Sequence, residues 1–303
     1  MHQSITEPLC PICENPVGLR RSNVHGYPLH YCKNCAFEFV SPQPDDSTLG
    51  MIYGEQYFLG DQSDETGERR SQMKSATGGL YVDLLKTIIP QEGAKLLELG
   101  CGHGEVLAEA KKRGFIVSGI EFSTHAADTA NQRLGECAVT VGSIETARFP
   151  PACFDAILAA DVIEHVRDPQ AFLLHARKML RPGGIIMLIT PSLDSWSRGI
   201  LRSRWMEYKL EHLHYFSVKS MRRLIERCDF EEDRVISSRK VLTFDYVWRH
   251  FERFHVPLLS PLLGLLWRAT PTSLAYRHLL LPSSGMVAIA RKPSLEKGAQ
   301  RVP

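Results

Sequence analysis

From Lys95 onward, short apolar runs alternate with stretches whose apolar residues recur at helical spacing. The runs LLEL (96–99), FIVSGIE (115–121), AVTVG (138–142), FDAILAAD (154–161) and GIIMLITP (184–191) predict strands buried on both faces. Helical stretches fall between them at 105–113, 124–133 and 170–180, the last closed by Arg181-Pro182-Gly183-Gly184. This alternation predicts an α/β fold, a doubly wound, mostly parallel sheet with helices on both faces. A helix over 218–228 and strands over 232–238 and 285–292 complete the pattern. Upstream, LYVDLLKTII (80–89) has the spacing of a helix leading into this domain.

Two prolines in Ser41-Pro42-Gln43-Pro44-Asp45-Asp46 mark a boundary. The expected organisation is a ribbon module over 1–46, a linker and approach helix over 47–93, and the main domain over 94–303. Between the last two strands of that domain lie about 45 residues, where the core needs only a short hairpin. A helical insertion over about 240–284 is therefore expected.

Composition narrows the class. With 303 residues, 44% hydrophobic and 23% charged, the chain excludes disorder, collagen and coiled coil, and its length allows two domains. The net charge of +2 does not mark a nucleic-acid binder, but it hides a polarity. Residues 1–100 carry 8 basic and 13 acidic side chains, and residues 201–303 carry 18 and 10. The C-terminal third is thus the part suited to an anionic partner. MHQSITEPLCPIC lacks a basic segment followed by an apolar run, and no stretch reaches the roughly 20 apolar residues of a membrane span. A cytoplasmic, reducing location is expected, and it sets how the cysteines are read.

Four of the eight cysteines form two pairs, Cys10 and Cys13, then Cys32 and Cys35. Two C-x2-C knuckles can complete the tetrahedral thiolate site that zinc prefers, and hairpins this short need a metal to hold them. A redox pair would instead sit singly at a helix N-terminus after a strand. Contact with nucleic acid would need a basic surface, and only Arg20, Arg21 and Lys33 are basic between Glu7 and Asp46. The expectation is a closed, structural zinc site, with Cys101, Cys137, Cys153 and Cys228 as free thiols.

The first main-domain strand runs through Glu98-Leu99-Gly100-Cys101-Gly102-His103-Gly104 into a helix. Glycines let backbone approach a ligand, and the helix behind them offers free N–H groups. Position 105 is Glu, so the dinucleotide spacing G-x-G-x-x-G is not met, and Glu98 disfavours a phosphate-rich ligand. Glu121 ends the second strand where a carboxylate can accept from a ribose diol. The ligand these features fit has a ribose and a cationic centre but no phosphate.

The ordered motifs LLELGCGHG, GIEFS, GSIETARFPPACFD, AADVIEHVRDP and LRPGGIIMLITPS resemble those of class I S-adenosylmethionine-dependent methyltransferases, over roughly residues 80–303. The ribbon, then IYGEQYF (52–58), then the core, then EHLHYFS (211–217) resemble a bacterial subgroup of zinc-ribbon methyltransferases acting on small molecules or glycans. The resemblance implies that Glu98, Gly100, Gly102 and Gly104 pack on the methionine part of the cofactor, Glu121 on the ribose and Phe122 on the adenine face. Where the family usually has Asp for the adenine amine this chain has Ser143, so its hydroxyl or the Ile144 backbone takes that contact. Asp161 would line the methionine end.

A sulfonium methyl is already activated, so positioning and removal of a proton from a weakly acidic acceptor remain for the protein. Two general bases are expected: His212, beside Glu211 in a loop over the C-terminal edge of the sheet, and His165, beside Glu164. The alternative for His212 is to cap the helix starting near Ser217. Asp161, Glu164 and His165 can also form a divalent-metal site like that of some quinone-type O-methyltransferases. VPLLSPLLGLLW (256–267), with Arg249, Arg253, Arg268 and Arg277 around it, is too short to span a membrane. It can lie on one, cover a lipophilic substrate, or pack on the core or a second copy. The insertion and WSRGILRSRW (196–205) are expected to form the acceptor pocket.

The function expected is S-adenosylmethionine-dependent methyl transfer to an oxygen, in second place carbon or nitrogen, of a small-molecule, glycan or lipid-linked acceptor, with peripheral membrane contact through 240–284. The alternatives are an RNA base methyltransferase with a zinc-binding module, disfavoured by the acidic N-terminal hundred residues, and a non-catalytic cofactor-binding or scaffold protein.

Overall fold

The structure is a computed structural model and describes residues 7–52, 65–254, 256–257 and 259–294; IYGEQYF lies almost wholly outside them. Five parallel strands form its centre: β4 (Lys95–Leu99), β5 (Ile116–Glu121), β6 (Val139–Val141), β7 (Phe154–Ala160) and β8 (Leu180–Pro191). The long hairpin β10 (Glu231–Leu242) and β11 (Leu279–Arg291) adds antiparallel to β8. The order β10-β11-β8-β7-β4-β5-β6 reverses direction at β4, between β5 and β7. Ligands of open α/β sheets bind above such a reversal, at the carboxyl ends of the strands.

The helices follow the strands as the pattern predicts: α3 (Glu105–Lys112) after β4, α4 (Thr124–Leu134) after β5 and α5 (Pro169–Met179) after β7. Several elements depart from it. AVTVG becomes a three-residue strand at the sheet edge, and Val141 is exposed because nothing pairs beyond it. Residues 181–184 do not form a separate turn. Gly183 donates to the Lys292 carbonyl and Lys292 to the Gly184 carbonyl, each at 2.9 Å, so the chain from Leu180 is drawn into β8. A short helix α1 (Asp46–Ile52) follows the proline boundary, and the approach helix α2 spans Glu65–Ile88 rather than starting at Leu80. Gly78 and Gly79, poor helix formers, lie inside it because α3 crosses closely: a Cβ on Gly78 would come within 2.8 Å of Val106 Cγ2.

The N-terminal strands β1 (Leu19–Val24), β2 (Tyr27–Cys32) and β3 (Phe37–Val40) form an antiparallel sheet. Its fourth member is β9 (His214–Tyr215), from beyond β8: Glu38 faces Tyr215, Phe39 faces His214, and Val40 N–H donates to the Leu213 carbonyl at 2.9 Å. One apolar cluster runs from Cys10, Cys35 and Phe37 through Phe216 and Met221 to Ile157 and Leu188 of the main sheet. The short helix α6 (Trp196–Leu201) and Trp205 are fixed to the same ribbon, with Leu201 and Trp205 buried beside Val24, Leu29 and Val40. Helix α7 (Val218–Arg227) follows β9 and is capped by Ser217, whose hydroxyl accepts from Ser220 N–H at 3.1 Å.

Within the hairpin lie α8 (Phe244–Arg253), α9 (Leu259–Ala269) and α10 (Thr272–Ala275). Trp248 and Trp267 stack between α8 and α9 with centroids 6.4 Å apart, and Asp245 accepts from Trp267 Nε1 and Arg249 Nε at 3.2 and 2.9 Å. Among the described residues no helix is long and apolar enough to cross a membrane.

Candidate active site

At the end of β4 the chain turns through Gly100, Gly102 and Gly104, all at positive φ. Added Cβ atoms would meet Val162 Cγ2 at 2.7 Å from Gly100 and Ala130 Cβ at 2.9 Å from Gly104, so both are glycine for packing as well as for conformation. Gly102 faces open space. Its N–H donates to Glu121 Oε2 at 2.8 Å, and Ser123 N–H donates to Oε1 at 3.0 Å. The buried Glu121 carboxylate is thus fixed at the loop, and lone pairs remain on both oxygens.

Glu98 is buried beneath the loop, with Oε2 lacking a hydrogen-bond partner. Burial, then Glu105 and Glu121, raises its pKa well above the ordinary carboxyl value. Glu105, the residue that broke the dinucleotide spacing, accepts from Ser71 Oγ at 2.9 Å. Arg133 donates to the His103 carbonyl at 2.8 Å and to Ser71 at 3.0 Å, so α2, α4 and the glycine loop are held together. Neither Ser71 nor Arg133 is singled out by the sequence pattern.

Around this loop, Phe122 presents an open ring, 77% exposed. Ser143 is half-buried, and its N–H donates to Thr146 Oγ1 at 2.9 Å. The Ile144 side chain is part of the core. Asp161, at φ +54°, follows β7 and accepts from Lys240 Nζ of β10 at 3.0 Å. Desolvation raises the Asp161 pKa, but Lys240, together with Lys209 and His165, outweighs it and the net shift is downward. The Tyr81 hydroxyl of α2 is buried without a partner; burial pushes it up to about 12, with the charges of Lys240 and Asp161 acting on it in opposite senses.

Beside Asp161 the structure joins Glu164, His165 and His212, with ligand-capable atoms all within 4.8 Å of one another. The His rings meet edge to face, 4.7 Å between centroids. His165 Nδ1–H donates to the Glu211 carbonyl at 3.0 Å. Glu164 Oε2 accepts from Thr190 Oγ1 at 3.0 Å, while Glu164 Oε1 and His212 Nδ1 are buried with no hydrogen-bond partner. Burial, then Asp161, pushes Glu164 up to about 8. Burial, then His165 and Lys209, lowers His212 well below 6.5, so it is neutral at physiological pH. Three sequence expectations are corrected here. The carboxylate grouped with His212 is Glu164, not the adjacent Glu211. Helix α7 is capped by Ser217, not His212. The metal-capable trio is Glu164, His165 and His212, because Asp161 is turned to Lys240.

At the ribbon end Cys10, Cys13, Cys32 and Cys35 are all buried, with their sulfurs within 4.8 Å of one another. Cys10 Sγ lies 3.9 Å from Cys35 Sγ, and Cys13 Sγ 3.6 Å from Cys32 Sγ. A tetrahedral ion with bonds of about 2.3 Å has sulfur–sulfur edges of about 3.8 Å, so the cluster fits such a cation. Burial pushes the Cys10 thiol up to about 12, a cost that a bound cation removes.

A doubly wound sheet, a glycine turn at its reversal and an acid ending the second strand are the features of the class I S-adenosylmethionine-dependent methyltransferase fold. The family profile described as "Methyltransferase domain" matches residues 70–235, more than half of the chain, and the chain belongs to that family. Among curated relatives, a ubiquinone biosynthesis O-methyltransferase of Caulobacter vibrioides is 35% identical over 112 residues, 33% of this chain and 42% of that one. One of Cereibacter sphaeroides is 29% identical over 128 residues, 40% of this chain and 52% of that one. The matches thus cover only about two fifths to one half of these relatives. The solved structure of the [4+2]-cyclase SpnF has 15% identity and a TM-score of 0.52 over 84% of this chain and 98% of that one, which shows a shared fold. The residues present fit S-adenosylmethionine, the cofactor of the class: an orphaned buried carboxyl for a cationic group, open space at Gly102, and an anchored acid at the second strand.

Proposed function

We propose that this chain methylates an oxygen of a small-molecule acceptor, glycans and lipid-linked molecules included, and that His212 removes the acceptor proton. S-adenosylmethionine supplies an activated methyl group on sulfonium. Glu98, Gly100, Gly102 and Gly104 bind its methionine part, Glu121 the ribose, and Phe122, Ser143 and the Ile144 backbone the adenine; Asp161 lines the methionine end. The single observation that carries the base assignment is the buried, neutral His212, whose Nδ1 has no partner and whose ring lies beside Glu164 and His165 at the sheet's carboxyl edge. Its lone pair is available without prior deprotonation. His165, tied to the Glu211 carbonyl, serves in this reading to hold the loop and the His212 ring. Oxygen as the acceptor atom is supported by the names of the curated relatives.

The test is His212→Gln, assayed for methyl transfer to a panel of phenols and sugar alcohols beside calorimetric titration with S-adenosylmethionine. The expected outcome is a loss of roughly 10²- to 10⁴-fold in kcat with cofactor affinity unchanged. Unchanged turnover would overturn the assignment. A second reading is favoured by the trio's ligand geometry: a divalent cation on Glu164, His165 and His212 would acidify a bound hydroxyl. Turnover that rises with added magnesium or manganese while the metal content of the cysteine ribbon stays constant separates it from the first. We also assign zinc to the four ribbon cysteines, on the match of their sulfur spacing to a tetrahedral thiolate site.

A further inference from the structure

Helix α9 is apolar on the face it shows to solvent. Inward, Ser260 is buried and donates to the Phe251 carbonyl at 2.8 Å, and Gly264 lies against Trp248, whose Cη2 would be 2.7 Å from an added Cβ. The opposite stripe, at spacings of one, four, five and eight residues, is Pro261, Leu262, Leu265, Leu266 and Ala269, all exposed. Leu262, Leu265 and Leu266 are 53%, 68% and 49% exposed. Three leucines on one stripe are more than the scattered apolar residues of an ordinary surface.

The charge beside the stripe says what it meets. Arg268 is exposed three residues after Leu265, on the same side of the helix, and Arg253 and Arg277 are exposed at the ends of the insertion. Residues 243–278 carry four arginines against Asp245 and Glu252, and Asp245 is buried, bonded to Arg249 and Trp267. The outward charge is therefore positive. Apolar side chains in a stripe with arginines at its border suit the headgroup boundary of an anionic bilayer, where long basic side chains reach phosphates while leucines enter the acyl region. A second copy of the same face would instead bring arginines together.

We propose that α9 docks this protein on membranes containing anionic phospholipid, with Leu262, Leu265 and Leu266 inserted and Arg268 at the phosphates. The helix hangs from the same hairpin whose Lys240 reaches Asp161, so docking sets the cofactor edge of the sheet near the lipid surface. The proposal does not depend on which acceptor is methylated.

The test is cosedimentation of the full chain with vesicles of phosphatidylcholine alone and of phosphatidylcholine with phosphatidylglycerol. Binding to the mixed vesicles is expected, weakening as salt rises from about 0.1 to about 0.5 M. Leu265→Asp with Leu266→Asp should weaken it at least about tenfold, and Arg268→Glu several-fold, with thermal midpoint and S-adenosylmethionine affinity unchanged. Failure of the wild-type chain to bind mixed vesicles overturns the proposal, as does equal binding by the double variant. A dimer in light scattering that the double variant breaks, without vesicle binding, assigns the face to a second copy and also overturns it.

Discussion

His212 shows how burial sets chemistry at one residue. Its pKa lies well below 6.5, so its neutral form is present through physiological pH and is lost only on stronger acidification. If it is the base, turnover is flat near neutrality and falls as pH drops through the folded-state pKa, giving an acid limb that lies below pH 6.5 and that His212→Gln removes. A pH–rate profile of the two proteins checks this. Gly104 makes a different claim. With φ +76° and Ala130 Cβ 2.9 Å from its missing Cβ, Gly104→Ala adds strain and a clash together. A loss of about 1–3 kcal/mol in denaturant unfolding is expected, with weaker cofactor binding. Sequence alone exposes both residues, but not the surroundings of the first. Glycines at loop spacing announce themselves, whereas the adjacent Glu211 masks the carboxylate that meets His212, Glu164, which the fold brings from far earlier in the chain. Lys240 was missed for the same reason, since nothing local in β10 points to Asp161.

Among elements, β9 has only two residues and joins the ribbon to the histidine loop. Leu213 and His214 N–H groups both reach the Glu164 carbonyl, at 2.8 and 3.2 Å, while Phe37 stacks on His214 at 5.7 Å and Ser217 Oγ donates to the Cys35 carbonyl at 3.4 Å. Strand β3 starts two residues after Cys35, so order at the cysteines passes directly to the backbone beside His212 and Glu164. Chelation of the proposed zinc should raise hydrogen exchange at 211–217 well before it raises exchange in β4, as read by mass spectrometry. Simultaneous loss in both elements would contradict that order. The main sheet was legible because its strands are apolar runs of ordinary length between helices. Strand β9 was not, because two residues carry no period, and the early start of α2 was hidden by glycines that serve a helix crossing.

Over the whole molecule, the acidic N-terminal hundred residues and the basic C-terminal third meet along one continuous core. The boundary near Ser41–Asp46 was readable from its prolines, but the shared packing across it was not, since it depends on Phe216 and Met221 returning to the ribbon. The segment 196–205 shows the same limit. Its apolar residues read alike in the sequence, but the fold buries Leu201 and Trp205 against the ribbon, leaves Trp196 and Ile200 exposed, and brings Arg198 to Glu38 at 3.4 Å.

The pairing of β3 with β9 also bears on how the chain is made. Cys35 and Phe37 leave the ribosome more than half a chain length before the strand that closes their sheet. Until His214 and Tyr215 follow, the ribbon has an open edge and uncovered aromatics, the condition under which nascent chains associate wrongly. A protein cut short before that point is therefore left with an unfinished ribbon and without the pairing that holds the backbone beside Glu164, so the cysteine cluster and the histidine loop are completed together, late in synthesis.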